Sequence, residues 1–197
     1  CGTQKPISDK ASTPVVPKDT SDKIESLLQR AQTAPAMEAA GLKLDAAKLM
    51  LLQKKYTELL NLLNPVLTTE LPSELQFSFA LTKAEAAIGL SDGPAALKHL
   101  SGGTGDEDAS DEQLKDKYTL LASAYGLSNQ LSKEAVALVT VSQYTKDHQQ
   151  INPLNEKIWL LFKTLELDEL AEIKQQENNR YTLRGWLSLF IDFKETP

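Results

Sequence analysis

From Ser21 to Phe193 apolar side chains recur three and four positions apart, while period-two runs of Val, Ile and Thr are scarce. A 3.6-residue period gathers such positions onto one face of a helix, so the pattern predicts helices throughout and no strand. The expected helices are 21–33, 36–54, 56–64, 73–90, 94–100, 111–128, 132–144, 154–165, 167–177 and 180–192. Local chemistry marks several ends: Pro72-Ser73 and Asn152-Pro153 stand before helices, Pro94 follows Asp92-Gly93 in a first turn, and Gly102-Gly103 closes a helix.

Sliding the chain on itself brings apolar columns into register at offsets of 37 and then 39 residues. Leu44, Leu81 and Leu120 align, as do Leu51, Ile88 and Leu127. In the second helix of each pair Leu60, Leu97 and Val136 align, then Leu63, Leu100 and Val139. Small residues keep the same register at Ala47, Ala84 and Ser123, and at Ala96 and Ala135, where they let neighbouring helices approach. Four apolar columns under the same two offsets favour helix-hairpin repeats over an unrelated bundle in which common residues coincide. The pattern resembles tetratricopeptide repeats, with Lys55-Tyr56, Ala96 and Ala135 as its echoes. The expected fold is therefore all-α, a tetratricopeptide-like superhelix of about ten helices over residues 20–197, with a concave face of the kind that binds peptides or partner proteins.

Residues 2–19 carry three prolines and almost no large apolar side chain, so burial cannot offset their ordering entropy. Residues 1–19 are expected to be a flexible tether with a reach of roughly 25 Å. The only cysteine is Cys1, and Cys1-Gly2-Thr3 resembles the first residues of mature bacterial lipoproteins. That resemblance implies lipid attachment at Cys1, several acyl chains making the anchor stable, and Gly2 rather than Asp implies sorting to the outer membrane. A buried structural thiol is the alternative fate of a free cysteine.

The charge balance, 21 Lys and Arg against 27 Asp and Glu for a net −6, lacks the clustered cations of a nucleic-acid groove or a polybasic membrane face. No apolar run approaches the roughly 20 residues of a membrane-spanning helix. His99 and His148 are far apart without metal-ligand spacing, and His99, near a helix end, is expected to interact with terminal carbonyls. There is no Gly-x-Ser-x-Gly elbow for acyl chemistry. Ser101 to Gly105 is glycine-rich, but the acids Asp106, Glu107 and Asp108 that follow would repel a phosphate. Read as a calcium loop, the same stretch has Asp111 where the turn glycine belongs and Lys117 in place of the bidentate glutamate, so a solvated acidic loop is expected. Glu25-Ser26 matches the catalytic pair of some lytic transglycosylases in two residues only, and Glu25 falls on a polar helix face. Trp159 and Trp186 are expected in the core. No catalytic residue, cofactor or metal site is expected.

Two C-terminal stretches, Asn155-Glu156-Lys157-Ile158-Trp159-Leu160-Leu161-Phe162 and Asn178 to Leu189 with its Leu-x-Gly-Trp-Leu-x-Leu run from Leu183, resemble the end of the N-terminal domain of the LpoA family. Members of that family are outer-membrane lipoproteins that activate a class A bifunctional penicillin-binding protein from the periplasmic side, mainly through a C-terminal domain. The resemblance implies a non-enzymatic spacer and interaction domain with Cys1 as its one transferable functional residue, placed on the periplasmic face of the outer membrane. Two alternatives stay open: a tetratricopeptide lipoprotein of another envelope assembly machine, and the helical domain of a lytic transglycosylase.

Overall fold

The computed structural model describes residues 18–102, 106–176 and 181–195. Among these residues ten α-helices succeed one another: α1 (Lys18–Thr33), α2 (Ala36–Leu52), α3 (Tyr56–Leu63), α4 (Ser73–Gly89), α5 (Gly93–Ser101), α6 (Asp111–Leu127), α7 (Leu131–Tyr144), α8 (His148–Thr164), α9 (Leu167–Gln176) and α10 (Tyr181–Glu195). No strand occurs among the described residues. Cys1 and the expected tether up to residue 17 lie outside them, and α1 begins three residues ahead of the expected Ser21.

One backbone device closes each of the three central hairpins. The residue two positions beyond the end of α2 and α6, and its counterpart after α4, adopts the left-handed conformation: Lys54 at φ 57°, Ser91 at 59° and Asn129 at 53°. The next amide reaches back five residues, Lys55 N–H to Met50 O at 3.0 Å, Asp92 N–H to Ala87 O at 2.9 Å and Gln130 N–H to Tyr125 O at 2.9 Å. These are Schellman turns, which satisfy the carbonyls left over at a helix C-terminus, built without the usual glycine. Their positions fix the repeat at 37 and then 38 residues.

The second offset thus differs by one residue from the sequence-based 39 in the first helix of the third hairpin. Under 38, Ala84 and Ala86 correspond to Ala122 and Ala124, all four buried, whereas Ser123 is half-exposed and donates its hydroxyl to Thr119 O. In the column Leu51, Ile88 and Leu127 the first two are half-buried against the core, whereas Leu127 is 46% exposed. Leu63, Leu100 and Val139 are all buried. The sequence count slipped because α7 buries both candidate rows: Glu134 and Ala135, then Leu138 and Val139.

Buried positions recur along the array in matching sets. Ala40, Leu42, Ala47 and Met50 of α2 correspond at 37 residues to Phe77, Phe79, Ala84 and Ala87 of α4, all in the core. Small and large side chains trade places between hairpins: the ring of Tyr56 lies where a Cβ on Gly89 would stand, and at the next junction Gly93 makes room for Ser128 and the backbone of Ala124.

After α7 the hairpin stacking ends and α8, α9 and α10 gather around α7. This explains why α7 buries residues on most of its circumference, including Thr140. Glu134 is only 6% exposed, packs against Gly126 of α6 and accepts from Lys157 Nζ of α8 at 2.9 Å, so one carboxylate joins three helices. The LpoA-like segments meet here. Phe190 of α10 is fully buried, its ring 4.6 Å from Trp159, 5.6 Å from Phe162 and 6.2 Å from Trp186. Trp186 is half-buried as part of this cluster, but Trp159 is 40% exposed and so is not the core residue expected, because Ile158 and Phe162 take the buried face of α8 and Trp159 stands beside exposed Leu160.

Helix α8 starts six residues before the expected 154. Asp147 Oδ1 accepts from Gln149 N–H at 2.9 Å and caps the helix upstream, and Pro153 then sits inside it. A proline in the second turn removes one i to i−4 hydrogen bond, which the cap and the packing of Ile158 and Phe162 offset.

Candidate functional site

Helices α2, α4 and α6 touch in succession along one side of the array, while α5 and α7 make no comparable contact with each other and leave α6 as the floor of a gap. Helix α9, packed on α7, closes the far end. The gap holds two depressions of about 370 and 550 Å³ that share Tyr118, Leu121, Tyr125 and Lys133 and so form one groove. Tyr118, Leu121 and Tyr125 are three and four residues apart on α6, which places them on one stripe. At the α5 end the walls are Leu97, Lys98, Ser101 and Lys117; at the α9 end they are Val136, Glu169, Glu172 and Ile173.

Several side chains are held in place. Asp106 accepts from Lys117 Nζ at 2.6 Å and from the Tyr118 hydroxyl at 2.7 Å. The first of the three loop acids is therefore tied to α6 as a strut, its side chain still 40% exposed, and so is more fixed than the acidic run suggested. Gly103 to Gly105 lie outside the described residues. The Lys133 ammonium stands 5.7 Å from the Tyr125 ring centroid and donates to Gln130 Oε1 at 2.9 Å. Glu169 Oε2 accepts the Glu166 N–H at 2.9 Å, which ties that carboxylate to the start of α9. The groove is thus apolar and aromatic along its floor, with Lys98 and the Asp106-paired Lys117 at the α5 end, Glu169 and Glu172 at the α9 end, and Lys133 lining both depressions.

Away from the groove, Glu85 of α4 and Asp116 of α6 lie close enough to interact. Loss of hydration raises both carboxyls above their ordinary values, and repulsion adds to it, from Asp116 on Glu85 and from Glu112 on Asp116. Lys83 is lowered by burial. His99, half-buried in the last turn of α5, is lowered chiefly by burial and then by Lys83 and Lys98. The neutral imidazole is favoured, which is the opposite of a cation interacting with the terminal carbonyls.

Glu25 is exposed on α1 and lines neither depression. His148 is the first residue of α8, at the other end of the array from α1. No cluster of three metal-ligating side chains occurs among the described residues. The sequence marks Leu97, Leu100 and Val136 as repeat-column residues, Ser101 as the start of a glycine-rich stretch and Lys117 as a misfit to a calcium loop, but it assigns none of the groove residues a binding role. A signal was present: in the 38-residue register Tyr118 and Tyr125 fall where α4 carries Ala80 and Ala87, so two small positions become aromatic in one hairpin.

A family model described as "LppC putative lipoprotein" matches residues 17–197. Among solved structures, full-length LpoA from Haemophilus influenzae is 19% identical with a TM-score of 0.56, the match covering 88% of this chain and 31% of that one. The LpoA N-terminal domain from the same organism is 18% identical with a TM-score of 0.56, over 90% of this chain and 80% of that one. A 1.35 Å monoclinic form of that domain gives 19% identity and a TM-score of 0.52, over 91% and 79%. This chain spans about a third of the full-length structures and most of the isolated domain, and at these identities the likeness is one of fold. A comparison with curated protein sequences returned no match. Because the family model takes in the whole described helical array, the chain belongs to the LppC lipoprotein family.

Proposed function

We propose that this chain is the helical spacer and protein-interaction domain of an outer-membrane lipoprotein that activates a class A bifunctional penicillin-binding protein from the periplasmic side. Cys1 carries the lipid, the residues from 2 up to the start of α1 at Lys18 stand the helical body off the membrane, and the domain performs no catalysis of its own. The observation that carries this reading is the LppC family match across residues 17–197. The groove beside α6, with its rings and charged side chains, supports an interaction role, and among the described residues no helix is long and apolar enough to cross a membrane. The role is recruitment and reach, with the synthase contacted mainly through a domain beyond these helices.

The test compares this chain with a longer version that includes the segment corresponding to the rest of full-length LpoA. Both are used to capture a class A penicillin-binding protein from detergent-solubilised envelopes. Capture by the longer chain alone assigns this domain the scaffold role, and capture by both places a contact on the helices. Capture by neither, with recovery of barrel-assembly components instead, would replace this reading with an adaptor of another envelope machine.

A further inference from the structure

We infer that the edge of the array from which α1 starts docks on a phospholipid surface, with Leu52, Leu90 and Leu127 entering the headgroup region. This deepens the spacer role and rests on the lipid attachment at Cys1 proposed above.

The C-terminal ends of α2, α4 and α6, with the three left-handed turns that follow them, make up this edge. Contacts between the turns hold them side by side. The ring of Tyr56, just after the first turn, lies against Gly89, and Gly93, just after the second, packs on Leu127 and Ser128 at the third. The start of α1 belongs to the same edge, since Gln53 Nε2 donates to Ser21 Oγ at 3.3 Å. Residues 1–17 therefore join the array beside the first turn and not at the opposite edge.

Each of the three ends bears an exposed leucine: Leu52 is 76% exposed, Leu90 and Leu127 each 46%. The exposed charges around them nearly cancel, Lys23, Lys54, Lys55 and Lys133 against Asp22, Glu58 and Asp92. The opposite edge also has two exposed apolar side chains, Met37 and Leu67. These share it with exposed Glu38, Glu70, Glu74, Glu107, Asp111 and Glu112, which outnumber the exposed Arg30, Lys98 and Lys146. A bilayer that contains anionic lipid repels the acidic edge and accepts the near-neutral one.

The occupant is lipid because the anchor brings lipid to this edge. Three leucines hold a free protein weakly, but acylated Cys1 keeps the edge within the tether's reach of roughly 25 Å. Tethering turns a weak contact into an intramolecular one. The contact is apolar with scattered lysines beside it, so it needs no polybasic face. Docked edge-on, the domain presents the N-termini of α2, α4 and α6 about 25 Å above the lipid, since each is a 17-residue helix rising roughly 1.5 Å per residue. Undocked, the tether adds its own length, which gives the domain two heights above the membrane.

The experiment couples this chain through the thiol of Cys1, its only cysteine, to vesicles of phosphatidylethanolamine and phosphatidylglycerol that contain a maleimide lipid and a brominated phosphatidylcholine. Leu52→Trp, Leu127→Trp, Met37→Trp and Leu67→Trp are made singly and read by bromine quenching, after subtraction of the signal that Trp159 and Trp186 give in the unsubstituted chain. A docked side chain sits about 5–10 Å into the headgroup and acyl boundary, so the first two reporters should be quenched about twofold or more strongly than the last two. Adding Leu90→Gln and Leu127→Gln to Leu52→Trp should weaken its quenching and leave the helical circular dichroism unchanged. Equal quenching at the two edges, quenching at neither, or no effect of the two Gln substitutions would each overturn the inference. The maleimide bond stands in for the native lipid, so this result reports on the edge whether or not Cys1 is acylated. Acylation is read separately in cells, where fatty-acid label should be present and be lost in Cys1→Ser. Absence of label would refute the anchor, and with it the role of the edge in the cell.

Discussion

The three left-handed turns supply a graded stability experiment. Lys54, Ser91 and Asn129 occupy equivalent positions with φ between 53° and 59°, yet their side chains differ. For an L-residue this conformation costs about 1–2 kcal/mol, and asparagine is among the few side chains that visit it routinely. Replacement by glycine removes that strain but gives the unfolded chain more freedom, which takes back about 0.4–1 kcal/mol. Lys54→Gly and Ser91→Gly should therefore each stabilise by about 0.5–1 kcal/mol, and Asn129→Gly by less. The turns belong to separate hairpins with no shared partner, so the Lys54→Gly and Ser91→Gly gains should add to about 1–2 kcal/mol. For a chain of this length that is a rise of about 2–8 °C in melting temperature. Urea titration followed by circular dichroism measures the effect as a shift in midpoint at constant slope. Destabilisation by Lys54→Gly, or a larger gain at Asn129 than at Lys54, would refute the argument that the turn conformation sets the ranking.

Phe190→Ala should lose about 3–5 kcal/mol, since it empties a fully buried position among four aromatic rings, and should flatten the near-ultraviolet dichroism of Trp159 and Trp186. A double-mutant cycle of Glu134→Gln and Lys157→Met should give a coupling of about 1 kcal/mol, discounted from a buried pair because Lys157 is half-exposed. Asp116→Asn should stabilise at neutral pH. The folded carboxyl titrates above its unfolded counterpart, so its ionised form is the disfavoured one, and the gain should vanish once pH falls below the ordinary carboxylate value. The sign is reversed at His99: its folded value is lowered, so wild-type stability should decline as pH drops below the ordinary imidazole value, and His99→Asn should remove that part of the decline. Denaturation midpoints between pH 4 and 8 are expected to test both, and a flat difference between variant and wild type across that range would contradict them.

Helix positions were legible in the residues because their causes are local. A 3.6-residue apolar period, a Ser110 hydroxyl that caps α6 through the Gln113 amide, and Asp92 accepting from the Ala95 amide each act within a turn or two. The all-α class and the 37-residue first repeat follow from those same signals. Where two local signals competed the sequence was ambiguous: Pro153 reads as a helix start until Asp147 caps the helix a turn and a half upstream. The groove was not legible. An apolar stripe says that a face is to be covered and not by which neighbour. The gap exists because α5 and α7 both pack on α6 without comparable contact with each other while α9 packs on α7, a matter of packing between elements far apart in sequence. The same reason leaves Trp159 partly exposed, turns Asp106 into a strut and holds His99 toward its neutral form. Local patterning thus determined the helices, their caps and their repetition. Tertiary structure alone decided which faces stayed open and what charges stood beside them, because burial and electrostatics depend on neighbours that only the folded chain brings together.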